Sequence, residues 1–320
     1  MDSVVSEKIK VGVVGVGYLG EHHARLYASL PGVELVGIHD TRPERAREIA
    51  AKYNTRVFDD WRDLAEAVRA VSVAVPTRGH HEIAGNLLAR GIDVLVEKPI
   101  ATTLSEADDL IREAAVRGAI LQVGHSERFN AGVEAVGHLV ENPRFIEIHR
   151  LGRFSERGTD VNVVLDLMIH DIDIVLSLAR SPVVEIRALG VQVLSPHLDI
   201  ANARIEFQSG CVADLTASRI SMDKLRKIRI FQPNAYITLD YDRQQLGVFR
   251  RIMEESGPRV VLEEIPVEKR EPLRAELEGF VVSVRERTPP RVRGEEGREA
   301  LRIALAVHEA AERGLQRGTD

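Results

Sequence analysis

The chain has 320 residues, 44% of them apolar, enough for a sizeable core and for two domains rather than one. Its net charge is −6 with acids and bases interspersed, so no basic field points to nucleic acid, and its single cysteine, Cys211, excludes a disulfide framework. No segment approaches ~18 uninterrupted apolar residues and Met1-Asp2-Ser3 opens no signal peptide, so a cytoplasmic protein without membrane insertion is expected.

Ile9 to Val14 reads as a strand that feeds directly into Gly15-Val16-Gly17-Tyr18-Leu19-Gly20. A helical stretch to Leu30, a second apolar strand over 33–38 and then Asp40 follow, with the acid about 20 residues past the glycines. In such a unit the first glycine permits a tight turn, the second lets backbone approach a pyrophosphate, and the third lets helix pack on strand. The helix N-terminus offers N–H groups and partial positive charge to the same pyrophosphate. Asp40 can accept hydrogen bonds from a ribose diol and would repel a 2′-phosphate, which favours NAD over NADP. The candidate cofactor residues here are Gly15, Gly17, Tyr18, Leu19, Gly20, Asp40 and Arg42.

Further strands are expected at 71–75, 92–96 and 119–123, and helices at 43–53, 60–69, 79–90 and 104–117. This alternation gives a doubly wound parallel sheet covered on both faces, over a first domain of residues 1–123. Pro43 near a first turn, Asp59-Asp60, Thr103 and Ser105 in cap range, and Gly91 and Gly118 as stop residues mark the helix ends. His22-His23 behind the glycines read as packing or surface residues, and Trp61 as a packing anchor. His80-His81 have no third ligand at usable spacing, so no metal is expected.

At Asp93-Val94-Leu95-Val96-Glu97-Lys98-Pro99 a strand ends in a charged pair at the carboxyl edge of the sheet, where ligands of open α/β sheets bind. Pro99 stiffens the chain after Lys98, whose ammonium could hold a hydroxyl oxygen and stabilise negative charge as the proton leaves. An ordinary surface Glu-Lys pair would look the same.

Beyond residue 123 the rhythm changes. Helices at about 127–141 and 162–179 flank a strand at 144–151, and strands follow at 183–194, 199–207, 211–219, 226–232, 235–240, 245–252 and 259–265. The expectation is a second, α+β domain over 124–320 with a large open, mostly antiparallel sheet. Its closing helices, 271–287 and 294–313, are candidates to pack back on the first domain. Cys211 falls in a strand-like run and reads as a buried, inert thiol. In the otherwise apolar helix 162–179, Asp166, His170, Asp173 and Ser177 recur at steps of four, three and four along one face. A carboxylate beside an imidazole raises its basicity and orients it, the arrangement a general base needs. A solvated stripe fits the same spacing. Arg150, Arg153 and Arg157 fall within eight residues beside Gly152 and Gly158, a loop able to clamp a diphosphate or simply a solvated one.

The fingerprint at 15–20, Pro76-Thr77-Arg78-Gly79-His80, Glu97-Lys98-Pro99, Gly124-His125-Ser126-Glu127-Arg128-Phe129-Asn130 and Asp166…His170-Asp171, in that order, resemble the glucose–fructose oxidoreductase / inositol dehydrogenase / MocA family over essentially the whole chain. The resemblance implies a dehydrogenase in which Pro76, Thr77 and His80 line the cofactor site with Glu97. It places Lys98 near nicotinamide and the substrate hydroxyl, and gives the helix Asp166 and His170 to substrate contact, the histidine as acid–base. Family members often have proline where Ala131 follows Asn130 here. The stretches 124–130, 149–160 and 166–171 are similar to the nucleotide-sugar branch, which implies oxidation of C3 of UDP-N-acetylglucosamine to the 3-keto sugar, with Glu127, Arg128, Asn130, Arg153 and Arg157 as further substrate residues. A free sugar or inositol is the alternative substrate, and a non-catalytic NAD(H)-binding sensor the alternative class. Family members also imply a homodimer or homotetramer built on the second-domain sheet.

Overall fold

The computed structural model describes residues 7–154, 161–254 and 257–316. They form two compact units, one of residues up to Ser126 together with Leu273–Arg298, the other of Glu127–Pro272 and the residues from Glu299 on.

The first unit is a six-stranded parallel sheet of β1 (Ile9–Val14), β2 (Val33–His39), β3 (Arg56–Val57), β4 (Ala70–Val73), β5 (Asp93–Glu97) and β6 (Leu121–Gly124) in the order β3-β2-β1-β4-β5-β6. The two-residue β3 has no counterpart among the expected strands. Strands β4, β5 and β6 are buried at every position because helices cover both faces. Those helices are α1 (Tyr18–Tyr27), α2 (Pro43–Tyr53), α3 (Trp61–Ala67), α4 (His80–Ala89) and α5 (Leu104–Arg117). Asp60 caps α3 by accepting the Arg62 N–H at 2.8 Å. Thr103 and Glu106 close a capping box on α5, which Gly118 ends in the left-handed conformation. Helix α1 stops at Tyr27, short of the expected Leu30, where Ala28 to Gly32 turn the chain into β2.

The helix Pro272–Glu286 completes this unit. Its Leu277, Phe280, Val281 and Val284 join Val11, Val13, Leu26, Ile38 and Leu95 in one core. Full burial of such side chains contributes about 1.5–3 kcal/mol each, large beside a net stability of about 5–15 kcal/mol, so the helix is part of this fold rather than an appendage.

The second unit is built on eight strands in the order β14-β13-β12-β11-β7-β10-β9-β8. They are β7 (Phe145–Leu151), β8 (Val183–Val191), β9 (Ile200–Phe207), β10 (Val212–Ser218), β11 (Leu225–Gln232), β12 (Ala235–Asp240), β13 (Gln245–Glu254) and β14 (Gly257–Ile265). Only β7 and β10 pair in parallel; every other pair is antiparallel. Strand β8 ends earlier than expected because the Asp199 carboxylate gathers the N–H groups of Val193, Leu194 and Ser195 into a turn. Alternate residues, among them Ile146, Ile148, Leu215, Ile228, Ile230 and Leu239, face a core completed by α6 (Ala131–Leu139) and α7 (Ile169–Ala179). With α8 the helix Pro272–Glu286, the last helix is α9 (Gly294–Gln316), whose Ala300, Ile303, Ala304, Val307 and Ala311 enter the same core.

The other face of this sheet carries an apolar row across six strands. Cross-strand register lines up Val212, Phe145, Phe231, Tyr236, Phe249 and Leu262. Ring centroids along it lie 5.8, 4.8 and 5.2 Å apart. Cys211 is buried, and burial pushes its thiol up to about 11, which leaves it inert at neutral pH.

Two expected helices differ in detail. The stretch 127–141 is a 3₁₀ turn (Ser126–Phe129) followed by α6, because Asn130 caps α6 by accepting the Gly132 N–H at 3.0 Å. Ala131 is the first residue of α6, a position that takes alanine or proline equally. The stretch 162–179 opens as a π-helical turn, Val164–Met168, before α7. Such turns insert an extra residue into the helix and recur at functional sites.

Candidate active site

The cofactor candidates collect at the carboxyl edge of the parallel sheet. Strand ends stand in register there, Val14 beside His39 and Val73, Val73 beside Val96, and Glu97 beside Gly124. The strand order reverses between β1 and β4, the crevice where such sheets bind dinucleotides.

Each glycine of the first turn has its own reason. Gly15 sits at φ +84°, where a side chain would also strike the Ala74 carbonyl. A Cβ on Gly20 would lie 1.8 Å from the Gly15 oxygen, so strand-turn and helix touch backbone to backbone. A Cβ on Gly17 would meet nothing closer than Arg42 Nη2 at 4.0 Å. Gly17 also precedes the first turn of α1, which has no side-chain cap. Open space in front of uncapped N–H groups is what a pyrophosphate requires. Tyr18 and Leu19 are exposed at the start of α1.

Asp40 is fixed at the end of β2. Its Oδ2 accepts the Val16 N–H at 2.9 Å, and its Oδ1 accepts the Arg42 N–H at 2.9 Å and Nε at 3.2 Å. Burial pushes its carboxyl up, but these donors outweigh burial and hold it below the usual carboxylate range. The residues present therefore fit NAD, with backbone for the pyrophosphate and a charged carboxylate for the ribose.

Pro76 and Thr77 open a short 3₁₀ turn after β4 and are exposed and half-buried. His80 is buried, with Nδ1 2.9 Å from the Pro99 carbonyl and Nε2 2.9 Å from the Val75 carbonyl, so it ties this turn to the segment after Lys98. Lys98 is half-buried at the end of β5. Glu97 beside it is buried, with Oε1 3.0 Å from His23 Nε2 and Oε2 accepting the Lys98 N–H at 3.3 Å. His23, expected to be packing or surface, is thus a buried hydrogen-bonding partner; its signal was its place three residues past Gly20, on the sheet-facing side of α1.

In the second unit Asp166 lies in the π turn and His170 in the first turn of α7, both half-buried. The lower part of the expected stripe is otherwise engaged. Asp173 accepts Arg128 Nη1 at 3.1 Å, and Ser177 Oγ donates to the Ile174 carbonyl of its own helix at 2.7 Å. Arg150 is not a loop arginine. It lies buried on β7 and grips Asp171 with Nε and Nη2 at 2.9 Å, while its Nη1 reaches Glu127 at 3.0 Å. Glu127 also accepts Arg226 Nη1 at 3.0 Å, and the Tyr241 hydroxyl donates to Asp171 at 3.2 Å. Asn130 is buried, capping α6 and donating to the Tyr241 carbonyl at 2.8 Å. Glu127, Arg128 and Asn130 are therefore all tied to protein partners. Arg153 is exposed, with Nε donating to the Met222 carbonyl at 2.9 Å; Arg157 lies outside the described residues. Asp171 entered the sequence reading only as the end of the Asp166…His170-Asp171 motif, and Arg226 and Tyr241 were not singled out, since nothing local marks partners that only the tertiary fold brings together.

Among the described residues no cluster of His, Cys, Asp or Glu could hold a metal ion, and no helix is long and apolar enough to cross a membrane.

A Rossmann unit with an NAD-type crevice, followed by an open-sheet unit, defines a two-domain nicotinamide-dependent oxidoreductase. Residues 9–125 match the model of the oxidoreductase family with an NAD-binding Rossmann fold (GFO/IDH/MocA), and residues 140–238 match the GFO/IDH/MocA C-terminal domain. The chain belongs to the GFO/IDH/MocA family. It is 36% identical over 315 residues to a UDP-N-acetylglucosamine 3-dehydrogenase of Acidithiobacillus ferrooxidans, covering 97% of this chain and 99% of that one. A solved structure of that enzyme matches with a TM-score of 0.91 at 35% identity, over 96% of this chain and 99% of the other. A myo-inositol 2-dehydrogenase of Thermotoga maritima is 27% identical over 95% of this chain and 96% of its own length.

Proposed function

We propose that this protein oxidises C3 of UDP-N-acetylglucosamine to the 3-keto sugar with NAD. The observation that carries the reading is the 36% identity to a dehydrogenase of that nucleotide sugar over nearly the full length of both chains. In the proposed chemistry the His170 imidazole takes the hydroxyl proton, with Asp166 orienting it. Lys98 Nζ hydrogen-bonds the same oxygen and stabilises its growing negative charge. Bound NAD supplies the hydride acceptor. Arg153, with Arg157, is proposed to hold the diphosphate. A cytoplasmic setting goes with this reading, because NAD and nucleotide sugars are dissolved together there.

The test is the appearance of reduced nicotinamide with UDP-N-acetylglucosamine, UDP-glucose, N-acetylglucosamine and myo-inositol. Turnover with the first and little with the others is expected. Preference for myo-inositol would replace the substrate, in line with the 27% identical inositol dehydrogenase. Silence across the panel would favour an NAD(H)-binding sensor.

We also infer that the protein is a homodimer or homotetramer assembled through the second-unit sheet. The apolar row from Val212 to Leu262 supports this, since Phe231 and Leu262 are exposed at 39% and 50%. A contiguous apolar strip of this kind on a sheet is a site for a second copy to cover. Light scattering after size exclusion should give a dimer or larger, and Phe231→Glu with Tyr236→Lys should shift it to monomer. A monomeric wild type at micromolar concentration would overturn the inference.

A further inference from the structure

Behind Lys98 lies a buried pair that the proposed chemistry does not use. His23 is fully buried on α1, and its Nε2 sits 3.0 Å from Glu97 Oε1. An ionised carboxylate can only accept, so Nε2 carries the hydrogen of this contact. The other Glu97 oxygen takes the Lys98 N–H. Gly124 lies against the same carboxyl, since a Cβ there would come within 3.0 Å of it. The carboxylate is thus held at both oxygens.

We propose that His23 is a positioning residue, which through Glu97 anchors the backbone and charge environment of Lys98. The inference rests on the reading of Lys98 as the residue that holds the substrate oxygen. A buried carboxylate stays ionised only when donors and opposite charge offset its desolvation. Burial pushes Glu97 up, and His23 is the largest opposing influence, ahead of Lys98 and His80; together they hold it below the usual range. Without the His23 donor, the largest opposition to burial is gone, and the Glu97 carboxyl is pushed up toward its neutral form. Lys98 then loses both the neighbouring negative charge and one anchor of its backbone.

The experiment compares His23→Leu, His23→Gln and Glu97→Gln with the wild type. The infrared carbonyl stretch of a protonated buried carboxylic acid should be absent from the wild type at pH 7. It should appear in His23→Leu and vanish again in the double variant with Glu97→Gln. In His23→Leu kcat should fall by about 10²-fold, the cost of a catalytic group displaced by about an ångström, with the NAD dissociation constant unchanged. His23→Gln, which can place an amide N–H toward Glu97, should recover most of it. A folded His23→Leu with wild-type kcat and no carboxylic acid band overturns the proposal, as does a loss confined to NAD affinity. If His23→Leu does not fold, Glu97→Gln decides: it must lower kcat without altering NAD affinity, and retention of kcat overturns the proposal. The infrared comparison needs no substrate, so it stands even if the sugar assignment fails.

Discussion

Arg150 and Asp171 face each other inside the second unit as a bidentate ion pair, with Nε and Nη2 each 2.9 Å from a carboxylate oxygen. Both side chains are almost wholly buried. Against that burial, the Asp171 charge holds the guanidinium well above its ordinary value, so the arginine is permanently charged. The ring of Tyr241 lies 5.1 Å from the guanidinium carbon and its hydroxyl reaches the same carboxylate.

A pair of this kind is costly to break from one side, because a buried charge is left alone. Arg150→Met or Asp171→Asn should each lose about 3–5 kcal/mol in urea unfolding, and the double replacement Arg150→Met/Asp171→Leu clearly less than the sum. Were Arg150 instead a diphosphate clamp, Arg150→Met would fold normally and show only a raised KM for the nucleotide sugar.

The glycine turn separates stability from binding. A Cβ on Gly20 would lie 1.8 Å from a backbone oxygen, so Gly20→Ala must move the α1 start and should both destabilise the first unit and abolish NAD binding. Gly17→Ala meets only open space, so it should melt like the wild type. Its methyl group would stand where the pyrophosphate approaches the backbone, and NAD affinity should fall. Thermal melts paired with a nucleotide titration check both.

What the sequence made legible is local. The Gly15–Gly20 turn, Asp40 and the strand–helix alternation are short-range patterns, and the elements formed within a few residues of expectation. The caps at Asp60 and Thr103 belong to the same class. Partnerships set by tertiary register were not legible. His23 and Glu97 stand 74 residues apart, and only the docking of α1 on the sheet brings them together. Arg150 looked like part of an arginine-rich loop, because its inward orientation depends on the pleat of β7. The π turn at Val164–Met168 has no sequence signature in an apolar run, although it carries Asp166.

His80 gives a pH dependence with a definite sign. Burial, against the two carbonyl acceptors of Pro99 and Val75 and the charge of Glu97, holds its imidazole below the ordinary 6.5. The unfolded chain therefore binds that proton more readily than the folded one. The stability His80 contributes is complete above about 6.5 and is lost as pH falls through the lower folded value. Urea midpoints measured from pH 7.5 to 5.5 should drop for the wild type, and His80→Gln should drop less over the same window. Parallel lines for the two proteins would show that His80 is not the group responsible.

His170 and Lys98 carry the reaction in the proposed chemistry, and neither is needed for the dinucleotide crevice at the ends of β1 and β4. Removing a general base typically slows turnover by about 10²–10⁴-fold. His170→Ala and Lys98→Ala should each lose kcat on that scale, with NAD bound at close to wild-type affinity by nucleotide fluorescence. Asp166→Asn keeps the size of the side chain and removes its charge, so a smaller loss in kcat is expected, together with a changed pH profile as His170 loses its orienting carboxylate. Near wild-type turnover in both His170→Ala and Lys98→Ala would remove these roles while leaving the family assignment intact, since that rests on the whole chain rather than on two side chains.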